Sequence, residues 1–375
     1  MINPNYTAQI FQRNSEKQAN KMRIDIISFT RNGAELSKRI KELMPSSKYE
    51  CSLFCASKNV KHSDEIICTD ESVYDFCTKR FESKTAVVFI GAMGIAVRAI
   101  SPSIKNKMED IPVIVIDENA SYVIPVLSGH VGGANELAKE LADVLNTQAV
   151  ITTATDVNDK FAIDVFAKKN NLFIENKDGI AKVSSKVLNG ETITINMEYG
   201  HLDDSKVPLG VKIDCKNIPD DEECDVYISD DNSDKNALLT LRAKNLILGI
   251  GCKKGKSFEE IDEFIKGVLS ENDININCVN SISSIDLKKD EEGIVLFAKE
   301  LDIPFVTFTA EVLSQVEGEF EKSDFVLENV GVDNVCERAA LAECKGKGNI
   351  LLSKIKGNGI TLAVAKKNWR VTFDE

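Results

Sequence analysis

Residues 127–156 constrain the fold more than any other stretch. They read as a strand end, a glycine-rich loop, a helix, a strand and a hydroxyl-rich loop. The first loop is Leu127-Ser128-Gly129-His130-Val131-Gly132-Gly133-Ala134-Asn135-Glu136, and the second is Val150-Ile151-Thr152-Thr153-Ala154-Thr155-Asp156. Between them Leu137, Leu141, Val144 and Leu145 recur at helical spacing. A strand–helix–strand unit of this kind belongs to an open α/β sheet. Loops that follow strands in such a sheet can meet at one edge, and ligands bind there.

The same alternation extends in both directions. Apolar runs at 24–29, 85–90, 112–117 and 122–127 predict strands, the last of them after a turn at Glu118-Asn119. Leu36, Ile40, Leu43 and Met44 predict a helix, as do Ala162, Val165 and Phe166. A further helix over 95–100 must stop by Ser101-Pro102, because proline disfavours a helical residue before it. Together these mark an N-terminal α/β domain over 22–170, preceded by a polar, disordered tail over 1–21. Residues 171–244 are patterned differently. Ile180, Val183, Val187 and Leu188 mark one helix, 192–197 and 207–213 read as short strands, and the acidic runs 219–223 and 230–235 read as solvated. This is a small middle module or linker. A second series fills 245–375. It has a strand over 246–250 and a capping box of Ser257 with Glu260, followed by Phe258, Ile261, Ile265, Val268 and Leu269 on one face. Ile294, Phe297, Ala298 and Leu301 mark another helix, 304–308 a strand, and Val335, Ala339 and Ala342 a helix. An antiparallel pair closes the series around Lys356-Gly357-Asn358-Gly359. The expected class is α/β: two βα-repeating domains with open, mainly parallel sheets, joined by a small middle module.

Composition excludes several functions. At 375 residues the chain exceeds one typical core. A net charge of −13 argues against nucleic acid or an anionic membrane as partner. No apolar run approaches the roughly 18 residues of a membrane span, and the first twenty residues hold no apolar signal core. Ten cysteines without a CxxC pair fit reduced thiols in a cytoplasm. Cysteine and histidine never cluster at ligand spacing, so no protein-bound metal is expected.

Three loops carry the candidate chemistry. Gly91-Ala92-Met93-Gly94 follows a strand and opens a helix, an arrangement that suits an anion as well as a tight turn. Arg98 follows on that helix. The loop with Ser128, Gly129, His130, Gly132 and Gly133 holds more glycine than a simple turn needs, and His130 can act as acid, base or donor near neutral pH. A structural hydrogen bond for His130 is the competing reading. Thr152, Thr153, Thr155 and Asp156 offer hydroxyls and a carboxylate, with Asp156 placed either to cap a helix or to orient His130. Ser128 lies two residues from His130, which is poor geometry for a nucleophile and its base. In the second half, Gly249-Ile250-Gly251-Cys252-Lys253-Lys254-Gly255 imitates a dinucleotide fingerprint but spells GxGxxxG, and no acidic residue closes the next strand. Cys252 beside two lysines is either a thiol of lowered pKa or, more in keeping with its context, a buried inert one.

At this point a resemblance emerges. Residues 91–102, 127–138 and 151–156 resemble the N-terminal region of the cobalt-precorrin-5A hydrolase family of anaerobic cobalamin synthesis. Leu248 to Cys252, Ser284-Ile285-Asp286-Leu287-Lys288 with Glu291, and Gly331-Val332 with Cys336-Glu337 and Ala339-Ala340-Leu341 resemble its final domain. Met93 departs from the small hydroxyl residue expected there. The resemblance implies opening of the ring A δ-lactone of cobalt-precorrin-5A and release of the two-carbon unit as acetaldehyde, giving cobalt-precorrin-5B. Joined to the loop chemistry above, it makes His130, helped by Asp156 or Glu136, the expected group that activates water or protonates the departing alkoxide. Gly91, Gly94, Arg98, Ser128, Gly129, Gly132, Gly133, Asn135, Thr152, Thr153 and Thr155 would bind the substrate's carboxylates, with Gly251, Cys252, Ser284, Lys288 and Glu337 as a second wall across an interdomain cleft. The cobalt comes with the tetrapyrrole, so no cofactor is expected. Hand-over contacts with other enzymes of the pathway and homo-oligomerisation are further expectations. A corrinoid carrier without chemistry and a dinucleotide-dependent oxidoreductase are the rival readings.

Overall fold

A computed structural model describes residues 21–374 apart from 58–59, 61, 107–108, 159, 199–200, 216–222, 234, 324–326 and 329. The expected tail and most of the acidic run at 219–223 lie outside the described residues. The chain divides into two compact units, one up to Lys160 and one from Phe161 onward.

The first unit runs β1 (Met22–Ser28), α1 (Arg31–Leu43), β2 (Tyr49–Cys55), β3 (Ile66–Cys68), α2 (Val73–Glu82), β4 (Ala86–Ile90), α3 (Met93–Ile100), β5 (Val113–Ile116), β6 (Tyr122–Leu127), α4 (Ala134–Leu145), β7 (Gln148–Ala149) and α5 (Ala154–Val157). Its seven-stranded sheet has the order β3-β2-β1-β4-β5-β6-β7. Alternate residues of each strand point to opposite faces. Ile24, Ile26, Val88, Ile114 and Ile116 meet Leu36 and Ile40 of α1 and Leu137 and Leu141 of α4 on one side. Ile27, Val87, Phe89, Val113 and Val115 meet Phe76 of α2 and Ala96 and Ile100 of α3 on the other. Each such fully buried Ile or Phe contributes about 1.5–3 kcal/mol.

One reversal in this sheet decides where its loops lie. β4 and β5 are parallel, but β5 and β6 are antiparallel, with Val113 opposite Leu127 and Ile116 opposite Val123. The turn between them is too short for a parallel crossover, which needs a dozen or more residues. The loop after β6 therefore falls at the edge where β4 and β5 begin. β7 runs parallel to β6, so the loop after it arrives at that same edge.

The second unit carries two five-stranded sheets. It opens with α6 (Ile163–Lys169), β8 (Leu172–Ile174), α7 (Lys177–Leu188), β9 (Ile193–Met197), β10 (Val211–Asp214), β11 (Cys224–Ser229) and β12 (Ala237–Ala243), in sheet order β10-β9-β11-β12-β8. α6 belongs here because Phe161 and Phe166 pack on Phe373, with Phe166 and Phe373 stacked at 4.8 Å. The middle module is thus an α/β layer of its own. α7 lies close on β12 at Gly179, where a Cβ would come within 2.2 Å of the Leu238 carbonyl. β13 (Leu246–Cys252), α8 (Phe258–Glu271), β14 (Val279–Ile285), α9 (Glu292–Glu300), β15 (Phe305–Phe308), α10 (Ala310–Ser314), α11 (Cys336–Glu343), β16 (Gly348–Gly357) and β17 (Ile360–Lys367) follow, in sheet order β15-β14-β13-β17-β16. β13, β14 and β15 are parallel, whereas β17 is antiparallel to β13 and β16. The Ser257–Glu260 capping box opens α8 as expected.

Asp230 joins the middle sheet to the last one. It accepts bonds from Lys366 Nζ, Trp369 Nε1 and Asn245 Nδ2. The segment after β17 then runs back over the middle module. Trp369 stacks on His201 at 3.8 Å, Leu202 bridges Val371, and Asn170 exchanges two bonds with Thr372.

Candidate functional site

The loop after β6 and α5 after β7 meet at one edge of the first sheet. His130 Nε2 lies 2.8 Å from Asp156 Oδ2 and 2.8 Å from Thr155 Oγ1. Asp156 Oδ2 also accepts Asn135 Nδ2 at 2.9 Å, and Lys139 Nζ lies 3.5 Å from Asp156 Oδ1. Asn135 Nδ2 further donates to Thr153 Oγ1 at 3.0 Å. A lone pair on Nε2 would face an anionic oxygen and be repelled, so this nitrogen carries the proton. The pair can therefore stabilise an imidazolium and hold the ring in one orientation. His130 and Asp156 side chains are 19% and 20% exposed, open enough to reach a ligand and dry enough to strengthen the contact.

The glycines here serve the loop's own closure. A Cβ on Gly129 would sit 2.7 Å from Asn135 Oδ1, and one on Gly132 would sit 2.1 Å from Ser128 Oγ. Gly133 caps α4 at φ +88°, and Ser128 itself takes φ +60°. The first N–H groups of a helix have no partner within it. In α4 these are taken by the loop: Ala134 N donates to Ser128 O at 3.1 Å and Asn135 N to Gly129 O at 3.0 Å, while Gly133 N reaches His130 O at 2.9 Å. These donors are thus committed within the protein rather than offered to substrate carboxylates. Ser128 Oγ donates to Asp110 O at 2.7 Å.

Glu136 is not brought to His130. Its side chain is 75% exposed and faces Lys48, which also pairs with Glu140. Asn135 is 5% exposed and committed to Thr153 and Asp156, so it supports the pair from behind. Thr152 is exposed. Gly91, Gly94 and Arg98 lie at the opposite edge of the sheet, where Gly91 N donates to Ile116 O. There the Arg98 guanidinium folds over the first turn of α3, 3.4 Å from where a Cβ on Gly94 would stand.

In the second unit, the expected loop residues divide between strand interior and strand edge. Gly249 and Gly251 lie inside β13, not in a phosphate-cradling turn. A Cβ on Gly249 would fall 1.9 Å from Cys336 O, and one on Gly251 2.6 Å from Thr361 Oγ1. These glycines permit close packing of α11 and β17, which removes the physical basis for a dinucleotide fingerprint. Ser284 is buried in β14 and donates to Ile250 O at 2.6 Å. Glu337 is 2% exposed and is held by Lys354 N at 3.0 Å, Glu321 N at 3.2 Å and Asn334 Nδ2. It anchors three segments from within. Cys252 and Lys288 do share the edge beyond β13 and β14. Burial pushes the Cys252 thiol up, against the opposing charges of Lys288 and Lys256. Lys288 Nζ pairs with Glu291 Oε2 at 3.0 Å, and Gly255 N donates to Glu291 Oε1. Burial alone would raise the Glu291 carboxyl, but these two donors hold it below its ordinary value. Among the described residues, no group of three or more His, Cys, Asp or Glu is placed to hold a metal ion, and no helix is long and apolar enough to cross a membrane.

Three open sheets in series, with a histidine–carboxylate pair at the edge of the first, define a multi-module α/β enzyme. Its modules match three families in order: Cobalamin synthesis G N-terminal over residues 75–156, Cobalamin biosynthesis central region over 161–242, and Cobalamin synthesis G C-terminus over 246–365. The chain is 31% identical over 355 residues to the cobalt-precorrin-5A hydrolase of Priestia megaterium, covering 91% of this chain and 94% of that one. It is 30% identical over 363 residues to the cobalt-precorrin-5A hydrolase of Salmonella typhimurium strain LT2, covering 91% and 97%. The crystal structure of a cobalamin biosynthesis protein G homologue from Sulfolobus solfataricus shares 24% identity, covers 92% of this chain and 97% of its own, and superposes with a TM-score of 0.40. The chain belongs to the cobalt-precorrin-5A hydrolase family of cobalamin biosynthesis.

Proposed function

We propose that the protein opens the ring A δ-lactone of cobalt-precorrin-5A and releases the C20 unit as acetaldehyde, leaving cobalt-precorrin-5B. One water is consumed and one acetaldehyde leaves. The observation that carries this reading is the contact of His130 Nε2 with Asp156 Oδ2, inside the region matched by the N-terminal family. An imidazole backed by a carboxylate can take the proton of the attacking water as the lactone carbonyl is hydrated and return it to the departing alkoxide; it can then take the proton of the freed C20 alcohol as the bond from C20 to the macrocycle breaks, so that acetaldehyde leaves and the electron pair and a proton pass to the macrocycle. Asp156 stabilises the imidazolium formed in between. The cobalt is part of the substrate, and the reading assigns no resident metal or cofactor.

Acetaldehyde is measured on purified substrate with the wild-type chain and with His130→Ala. The variant is expected to lose at least about a hundredfold in rate, the usual scale for a positioned acid–base group. Acetaldehyde release at the wild-type rate by the variant would remove His130 from the mechanism. Substrate binding without any acetaldehyde from the wild-type chain would instead favour a carrier.

A further inference from the structure

We propose that Asn135 and Lys139 are positioning residues that grip the two oxygens of Asp156 and hold it against His130. The inference rests on His130 being the working group of the reaction. It adds the residues that set that group's state.

Asn135 and Lys139 are four residues apart on α4 and so share one face. Asn135 Nδ2 lies 2.9 Å from Asp156 Oδ2, and Lys139 Nζ lies 3.5 Å from Oδ1. One carboxylate oxygen thus accepts a hydrogen bond and the other faces an ammonium, both from one helix, while His130 Nε2 shares Oδ2. α5, which carries Asp156, is a single turn of four residues with no side-chain cap. Such a turn does not fix a side chain unaided. The grip from α4 supplies the missing constraint. Asn135 is in turn held by Thr153 Oγ1, one residue before α5 begins.

The charges around the pair point the same way. Glu136 and Glu140 of the same helix pair with Lys48, away from Asp156. Asp110 offers Ser128 its main-chain carbonyl, and its carboxylate accepts Lys105 N at 2.9 Å. Among the described residues, Lys139 is a cation paired with Asp156. Its positive charge opposes a second one on the His130 ring.

The test follows the histidines by NMR on the ¹⁵N-histidine-labelled full chain, without substrate. The chain has three histidines, and His130→Ala assigns the signal. Wild-type His130 is expected to show an Nε2-protonated ring when neutral. Lys139→Met removes the opposing cation and should raise the His130 titration midpoint by about half a pH unit at low salt, with the shift shrinking near 1 M salt. Lys139→Arg should restore the wild-type midpoint. The acidic limb of the kcat profile should move with it. Asn135→Ala should lower kcat about tenfold or more while KM stays within about twofold, since misplacement of a catalytic group acts on the chemical step. If Lys139→Met leaves the low-salt midpoint unmoved, or if the neutral ring carries its proton on Nδ1, the inference is overturned. Lys139 is 57% exposed, so its variants do not depend on refilling a core. Loss of the mechanism through an active His130→Ala enzyme would leave these titrations readable, so the two failures are distinct.

Discussion

Glu337 offers the sharpest way to separate a binding residue from a structural one. Its family context suggested a substrate contact, whereas its surroundings tie it to three main-chain or amide donors from Glu321, Asn334 and Lys354. Replacing it by alanine orphans all three in a site that is 2% exposed. An unmade buried hydrogen bond costs about 1–3 kcal/mol, but neighbouring groups relax and water enters, so the three together should cost roughly 3 kcal/mol. For a unit of this size that corresponds to a fall in Tm of about 6–12 °C. Glu337→Gln keeps one acceptor oxygen but turns an amide N–H₂ toward a donor, so it should fall between wild type and alanine. Thermal unfolding followed by circular dichroism gives the order. Acetaldehyde release measured well below the transition should give a KM close to wild type for both variants. A Glu337→Ala protein that melts with the wild type yet binds substrate several-fold more weakly would refute the reasoning and return Glu337 to the binding surface.

Two further outcomes follow from the same geometry. Gly132→Ala should destabilise the first unit more than Gly133→Ala: the first places a Cβ 2.1 Å from Ser128 Oγ, whereas the second meets open space and costs about 1 kcal/mol for its positive φ. Equal melting temperatures for the pair would contradict the close approach in the loop. Because burial holds the Cys252 thiol above its ordinary range, its thiolate is scarcer at neutral pH than that of a free thiol. Alkylation of the Cys252 peptide, read by mass spectrometry, should be slow at pH 7 and accelerate steeply as the pH rises through 9 and beyond. Labelling at pH 7 faster than that of a small free thiol would show an activated cysteine instead.

Much of the architecture was legible because strands and helices alternate with clear periods. The loops around His130 and Asp156 met as the strand–helix–strand pattern implied. Other placements depended on direction, which hydrophobic pattern alone does not encode. Gly91 and His130 both follow strands, yet β6 runs against β5, so they face opposite edges. The short turn at Glu118-Asn119 was the available signal for that reversal. Glu136 was grouped with His130 because it is near in sequence. Helical phase instead puts Asn135 and Lys139 on the side of α4 that meets Asp156 and Glu136 and Glu140 on the side that meets Lys48, and counting by four along α4 would have found Lys139. Ser284, Gly251 and Glu337 looked like loop chemistry but serve packing, because polar residues can be satisfied by main-chain groups inside a sheet. β11 and β12 went unread because their pattern is interrupted by acidic loops.

The segment after β17 changes how the chain can be assembled. Trp369, Val371, Thr372 and Phe373 complete the surface of the middle module through His201, Leu202, Asn170 and Phe166. During synthesis these residues emerge only after the whole last sheet has been made. Domains generally fold as units in the order they leave the ribosome. Here the middle module must wait, with Phe166 of α6 bare, until a distant stretch of the same chain arrives to cover it. Its maturation is therefore tied to translation of the third module, and a nascent chain stalled before Trp369 would display a middle module that chaperones and proteases could still recognise as unfinished.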